Sequence, residues 1–154
     1  MKRLFALIAA VWALFAPQTV LTDADGYFIL CKPGSIVNAH YSAKKRSEVV
    51  GRYECGDYVR TDGIEKNGFV HIVDCSLECS EAWISKRYLV ESEPRICYLR
   101  VIVVASGRVA ARAWIDGRRN GWLKPGQEVT IYAQSETWCV TNRGYVRTEF
   151  LGVN

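Results

Sequence analysis

The sequence predicts an all-β protein made of two small barrels in tandem. Three observations predict it. Behind an N-terminal apolar segment the chain is a series of short β-branched and aromatic runs broken by Gly, Pro, Asn and Asp. No stretch shows the long 3.6-residue apolar period of an amphipathic helix. Four sequence blocks of the first half recur in the same order in the second. The 49% hydrophobic and 23% charged residues place the chain among ordinary globular proteins and exclude disordered or fibrous classes.

The N-terminus reads as a secretory signal. Met1-Lys2-Arg3 is basic, and Leu4 to Ala16 is an unbroken apolar run. That run is short of the roughly 20 apolar residues a transmembrane helix needs. Thr22-Asp23-Ala24 offers small residues at the cleavage positions, so residues 1–24 are expected to be removed and Asp25 to start the mature chain. Cleavage after Ala16 is disfavoured because Pro17 follows. The alternatives are a buried N-terminal helix or an uncleaved anchor. No lipobox leads into Cys31. The expected location is therefore secreted or surface-associated, with no stable membrane span after cleavage.

The first unit is assigned to residues 25–92. Tyr27 to Cys31 reads as a strand ended by Lys32-Pro33-Gly34. Glu48-Val49-Val50 precedes Gly51, and Asp57 to Thr61 alternates around Tyr58 and Val59. Asn67-Gly68 signals a tight hairpin into Gly68–Val73. Ala82 to Val90 carries Trp83, Ile84, Tyr88 and Leu89. The second unit, residues 93–154, repeats the plan. Val37-Asn38-Ala39-His40 matches Val109-Ala110-Ala111-Arg112. Gly51 through Val59 matches Gly121 through Val129, with both glycine spacings kept. Phe69-Val70 matches Trp138-Cys139, and Trp83 through Leu89 matches Tyr145 through Leu151. Gly51, Gly56, Gly121 and Gly126 are expected to supply backbone angles closed to other residues. Asn142-Arg143-Gly144 suits a second hairpin. Units of roughly 50–60 residues lie near the lower limit of a self-supporting core, which closed sheets reach by removing their edges. The boundary, near Glu91-Ser92-Glu93-Pro94, is too short for a free linker, so the units are expected to pack together.

These blocks resemble the bacterial SH3-like (SH3b) domain family. Its pattern has an apolar-Asn-apolar-Arg strand, a Gly-x-apolar-x-x-Gly-Asp-x-Val turn, and a closing Gly-[Trp or Tyr]-Val-x-x-x-[Tyr or Phe]-Leu. The resemblance covers most of residues 27–152. His40 stands where the family has arginine, Ala82 where it has glycine, and residues 74–81 are an insertion. The resemblance implies two SH3-like barrels and non-catalytic binding of peptidoglycan or another surface polymer. It also places Phe69, Trp83, Tyr88, Trp138, Tyr145 and Phe150 in the cores.

The six cysteines, Cys31, Cys55, Cys75, Cys79, Cys97 and Cys139, read as disulfide candidates in an exported chain, each bond worth about 2–4 kcal/mol. Their pairing stays open, and some could equally be free, buried small hydrophobes. Asp74-Cys75-Ser76 resembles the nucleophile setting of cell-wall cysteine peptidases. However, both histidines, His40 and His71, lie upstream, and Leu77 replaces the expected glycine, so no enzyme is expected. A zinc site from His71, Cys75 and Cys79 with Cys55 fits on spacing but competes with disulfides. No metal and no cofactor is expected.

Residues 25–154 carry 18 basic and 15 acidic side chains, net +3. The charge is uneven: residues 25–94 are net −2 and residues 95–154 are net +5. Arginine in Asp116-Gly117-Arg118-Arg119-Asn120 offers bidentate contacts to carboxylate or phosphate, or simply a solvated face. The expected partner is a cell-wall polymer, with a surface protein as the alternative. Export argues against nucleic acid. Ligand-binding candidates are His40, Tyr41, Tyr53, Arg112, Trp114, Arg118 and Trp122, in a groove between the loops Tyr41–Arg46 and Trp114–Asn120. Lys44-Lys45-Arg46 could equally be a solvated turn. The composition leaves the oligomeric state open.

Overall fold

The structure, a computed structural model, describes residues 26–73 and 81–153. The expected signal segment, residues 1–24, lies outside the described residues. The described chain is all-β, with two seven-stranded antiparallel sheets. The first holds β1 (Gly26–Ile29), β2 (Val37–His40), β3 (Val49–Tyr53), β4 (Tyr58–Lys66), β5 (Phe69–Ile72), β6 (Trp83–Ser85) and β7 (Leu89–Val90). The second holds β8 (Arg95–Val103), β9 (Val109–Arg112), β10 (Arg119–Leu123), β11 (Glu128–Gln134), β12 (Trp138–Thr141), β13 (Gly144–Arg147) and β14 (Leu151–Gly152). Their strand orders are β3-β2-β6-β5-β4-β1-β7 and β10-β9-β13-β12-β11-β8-β14. Adding seven to each strand number of the first gives the second, so the sequence repeat is a repeat of topology. β1 and β8 belong to it although no sequence block links them.

Local chemistry explains the turns. Asn67 and Gly68 both take positive φ, 54° and 76°, and join β4 to β5 as a tight hairpin. Gly56 and Gly126, at φ 96° and 73°, turn the chain from β3 to β4 and from β10 to β11. The other conserved-spacing glycines do not do this. Gly51 and Gly121 lie inside β3 and β10, next to a register shift that leaves one extra residue, Val50 and Asn120 respectively. The run Ala82–Val90 is not one strand. A single 3-10 turn, Lys86–Tyr88, separates β6 from β7, and Thr148–Phe150 does the same in the second sheet.

Each sheet encloses its own core. Val37, Ala39, Val59, Val70 and Ile84 are buried in the first, and their counterparts Val109, Ala111, Val129, Cys139 and Val146 in the second. Alternation along each strand sends these side chains to one face. A third cluster joins the two sheets: Leu30 and Val90 from the first, Ala133, Trp138, Val140 and Tyr145 from the second. This corrects part of the core assignment of the aromatics. Trp138 and Tyr145 are buried in the joint between sheets, and Phe69 and Trp83 are only half-buried, whereas half-buried Tyr88 and Phe150 do pack against the first and second cores. The joint also carries polar pins. The Tyr145 hydroxyl donates to the Leu30 carbonyl at 3.1 Å, and the Glu136 backbone N–H donates to Ser92 Oγ at 2.9 Å.

The joint uses different faces of the two units. Leu30 N–H bonds the Tyr88 carbonyl, and its counterpart Val104 N–H bonds the Phe150 carbonyl. Leu30 is fully buried by the second unit, whereas Val104 is 53% exposed.

Candidate functional site

A cleft of about 840 Å³ lies between the two sheets. Its first wall is the segment around the Lys86–Tyr88 turn and its exit: Lys86, Arg87, Leu89, Val90 and Glu91, with Tyr27 beside them. Its second wall comes from the β9–β10 loop, the β11–β12 connection into β12, and the end of β13: Ile115 and Asp116, then Glu136, Thr137 and Trp138, then Arg147. The floor is apolar because it is the rim of the interdomain cluster.

The β9–β10 loop is built to stay in place. Trp114 accepts a bond from Gly117 N–H at 3.0 Å, closing a four-residue turn, and Arg112 Nη1 donates to the Gly117 carbonyl at 2.7 Å. A Cβ at Gly117 would overlap the Trp114 indole, so the turn needs glycine there. Asp116 holds φ 50°, a region that Asp tolerates better than most residues. Ile115 N–H reaches across to the Arg87 carbonyl at 3.3 Å.

Cations lie over aromatic rings at both walls. The Arg87 guanidinium sits 4.1 Å from the Trp114 ring centroid, and that of Arg147 sits 4.9 Å from Trp138. Arg147 also reaches Asp116 Oδ1 at 3.4 Å. Lys86 pairs with Glu65, and that hydrogen bond raises its pKa. Stacking holds a guanidinium in one orientation while leaving its in-plane N–H groups free to bond. Both charge signs therefore line the cleft: Lys86, Arg87 and Arg147 against Glu91, Asp116 and Glu136.

The sequence-derived candidates are dispersed. His40 is buried, with Nδ1 3.0 Å from the Ser47 carbonyl and its ring edge-on to Phe69. Tyr53 is buried in the first core. Tyr41 is 53% exposed. Trp122 is 48% exposed, carries Arg119 at 4.5 Å, and lines a second, smaller hollow with Asn120 and Arg143. Arg112 is spent on the loop, and Arg118 is exposed. Only Trp114 adjoins the main cleft, through Arg87. That cleft pairs the Trp114–Asn120 loop with Lys86–Glu91, not with Tyr41–Arg46. Lys86, Arg87 and Arg147 were missed because they fall inside repeat blocks read as structural. Their common signal was a basic residue two to four places after each closing aromatic, Lys86 and Arg87 after Trp83 and Arg147 after Tyr145.

His71 is packed on Trp83 with ring centroids 5.0 Å apart and has Nδ1 2.7 Å from Asp62 Oδ2. Burial opposes ionisation of Asp62, but bonds from His71 and the Ile64 N–H outweigh it and hold the carboxyl below its usual range. His71 Nε2 has no hydrogen-bond partner, and Glu81 lies 3.6 Å from it. Cys75 and Cys79, the other ligands of the candidate zinc site, and the Asp74-Cys75-Ser76 run lie outside the described residues. No group of three His, Cys, Asp or Glu among the described residues could hold a metal ion. No helix there is long and apolar enough to cross a membrane.

Of the described cysteines, Cys31 and Cys139 are buried and Cys55 and Cys97 half-buried, and no disulfide joins them in this structure. Cys139 is buried in the second core, which pushes its thiol up to about 11, and its sulfur lies 3.4 Å from Thr148 Oγ1.

No protein-family model matches the chain, and no curated protein matches it. Among solved structures it is similar to NlpC1 from Trichomonas vaginalis, at 20% identity and a TM-score of 0.34 over 84% of this chain. NlpC2 from the same organism gives 19% identity and a TM-score of 0.34 over 84%. The chain spans 46% and 48% of those two proteins, about half their length.

Proposed function

We propose that this chain is an exported, non-catalytic binding protein whose two units are SH3b-like and whose ligand is a peptide-bearing surface polymer such as peptidoglycan. The observation that carries the reading is the cleft between the units, lined by ring-stacked Arg87 and Arg147, the exposed carboxylates of Glu91 and Glu136, and apolar side chains. A peptide carrying both ammonium and carboxylate groups complements such walls. The resemblance of the repeated blocks to wall-binding modules points the same way. The mechanism is non-covalent: Arg87 and Arg147 hold a carboxylate, Glu91 and Glu136 an ammonium group, and half-buried Ile115 packs against the stem.

The test is retention of the purified chain on purified peptidoglycan. Arg87→Glu and Arg147→Glu are expected to lose about tenfold or more in affinity, since a hydrogen bond to a charged group is worth roughly 1.5–3 kcal/mol. Arg118→Ala, outside the cleft, is expected to bind as the parent does. Equal retention of all four proteins would remove the cleft as the site. No retention of the parent would remove the polymer. In that case a protein partner is favoured by one observation: Ile96, Tyr98 and Leu99 of β8 are exposed together.

A further inference from the structure

We propose that Cys31 and Cys55 form a disulfide that ties the end of β1 to the β3–β4 turn. This goes beyond the ligand-binding reading and does not rest on it.

Three observations converge on the pair. Ile29 N–H bonds the Asp57 carbonyl and Gly56 N–H bonds the Ile29 carbonyl, both at 2.8 Å, so the chain end leading into Cys31 is laced to the turn that holds Cys55. Both side chains pack in the first core, Cys31 at 2% exposure and Cys55 half-buried at its rim. Cys55 packs against the cluster that holds Cys31, and each thiol shifts the other's ionisation, while the Cys31 thiol points to the Ser35 carbonyl 3.7 Å away.

The second unit shows what the position requires. Glu54-Cys55-Gly56-Asp57 is closed by Asp57 N–H to the Glu54 carbonyl at 3.2 Å. Its counterpart Lys124-Pro125-Gly126-Gln127 is closed by Gln127 N–H to the Lys124 carbonyl at 3.0 Å. Proline presets φ at the second place of such a turn. The first unit has cysteine there, and its partner Cys31 corresponds to Ala105. One unit restrains the turn with a ring, and the other has the means to restrain it with a cross-link. The remaining described pair lacks this geometry. Cys97 on β8 and Cys139 on β12 flank β11, two strand spacings or about 9–10 Å apart, beyond disulfide reach.

The chemistry also distinguishes the two partners. The neighbouring Cys31 lowers the Cys55 thiol to about 7 against the opposing effect of burial, while Cys55, together with burial, raises Cys31. Cys55, at the rim, is the attacking thiolate. It attacks one sulfur of a small-molecule disulfide such as oxidised glutathione and expels the other as a thiolate. Cys31 then loses its proton and attacks the Cys55 sulfur of the mixed disulfide, expelling the second thiolate. The protein gives up two protons and two electrons, and the oxidant becomes two thiols.

The experiment uses the reduced full chain, oxidised with oxidised glutathione and mapped by mass spectrometry of unreduced peptides. The expected product is a Cys31–Cys55 linked peptide, lost in Cys55→Ser. Before oxidation, Cys55 is expected to alkylate at neutral pH at least about tenfold faster than Cys139. Cys55→Pro copies the second unit, so it is expected to fold and to leave Cys31 unpaired. Linkage of Cys31 or Cys55 to any other cysteine would overturn the proposal. So would both thiols remaining alkylatable once the glutathione disulfide is in excess.

Discussion

Single side chains carry the joint between the two units. The buried Tyr145 hydroxyl of the second unit bonds the first unit's backbone at the Leu30 carbonyl. Tyr145→Phe would leave that carbonyl unpaired at a cost of about 1–3 kcal/mol, read as a lower denaturation midpoint. Burial also raises the Tyr145 pKa well above that of a free tyrosine, and nearby Tyr88 and Cys31 add to the shift. The sign follows from linkage. The stabilisation is complete below the unfolded value of about 10 and declines as pH climbs above it. Thermal unfolding between pH 8 and 11 is expected to show this decline, and the phenylalanine variant to lose that part of it. The cross-link proposed for Cys31 and Cys55 closes a loop long enough to be worth about 3 kcal/mol, so dithiothreitol is expected to lower the unfolding free energy of the oxidised chain by that amount, read as a lower denaturation midpoint.

Turns and strands answer to backbone geometry. Gly126→Ala meets no neighbour within 4 Å, so its cost is the left-handed φ alone, about 1–2 kcal/mol. Gly144 combines φ 115° with a Cβ position that presses into the Arg112 carbonyl oxygen. Gly144→Ala is therefore expected to lower the urea midpoint further than Gly126→Ala and to loosen the pairing of β13 with β9 at Tyr145–Arg112. At this scale the sequence was largely readable. Turn chemistry marked the Asn67-Gly68 hairpin and the Gly56 and Gly126 turns, and period-two alternation marked Val59 and Val129. The glycines at 51 and 121 were misread because spacing alone does not separate a turn from a bulge beside a strand pair. The cleft was not legible either. Its walls meet only when two units dock, and docking joins residues such as Arg87 and Trp114 that no local pattern connects.

The molecule as a whole behaves as two cores fastened by a third. Trp138 belongs to that third cluster, so Trp138→Ala is expected to cost about 3–5 kcal/mol and to split one calorimetric transition into two. The fastening is head-to-tail: the Leu30 end of one unit meets the Trp138–Tyr145 face of the next. Such an arrangement has no two-fold axis, and it leaves one unmatched surface of each kind. Val104 is the free counterpart of Leu30, and His71 and Trp83 occupy the places of Val140 and Tyr145. In the first unit that face carries the Asp62–His71 pair where the second has apolar side chains. The pair puts polar groups where a further unit would need an apolar face, and is expected to oppose such stacking. Replacing His71 by valine and Asp62 by tyrosine, the second unit's residues, is expected to give concentration-dependent filaments in sedimentation velocity. Loss of that single polar pair would turn a tandem protein into a polymer.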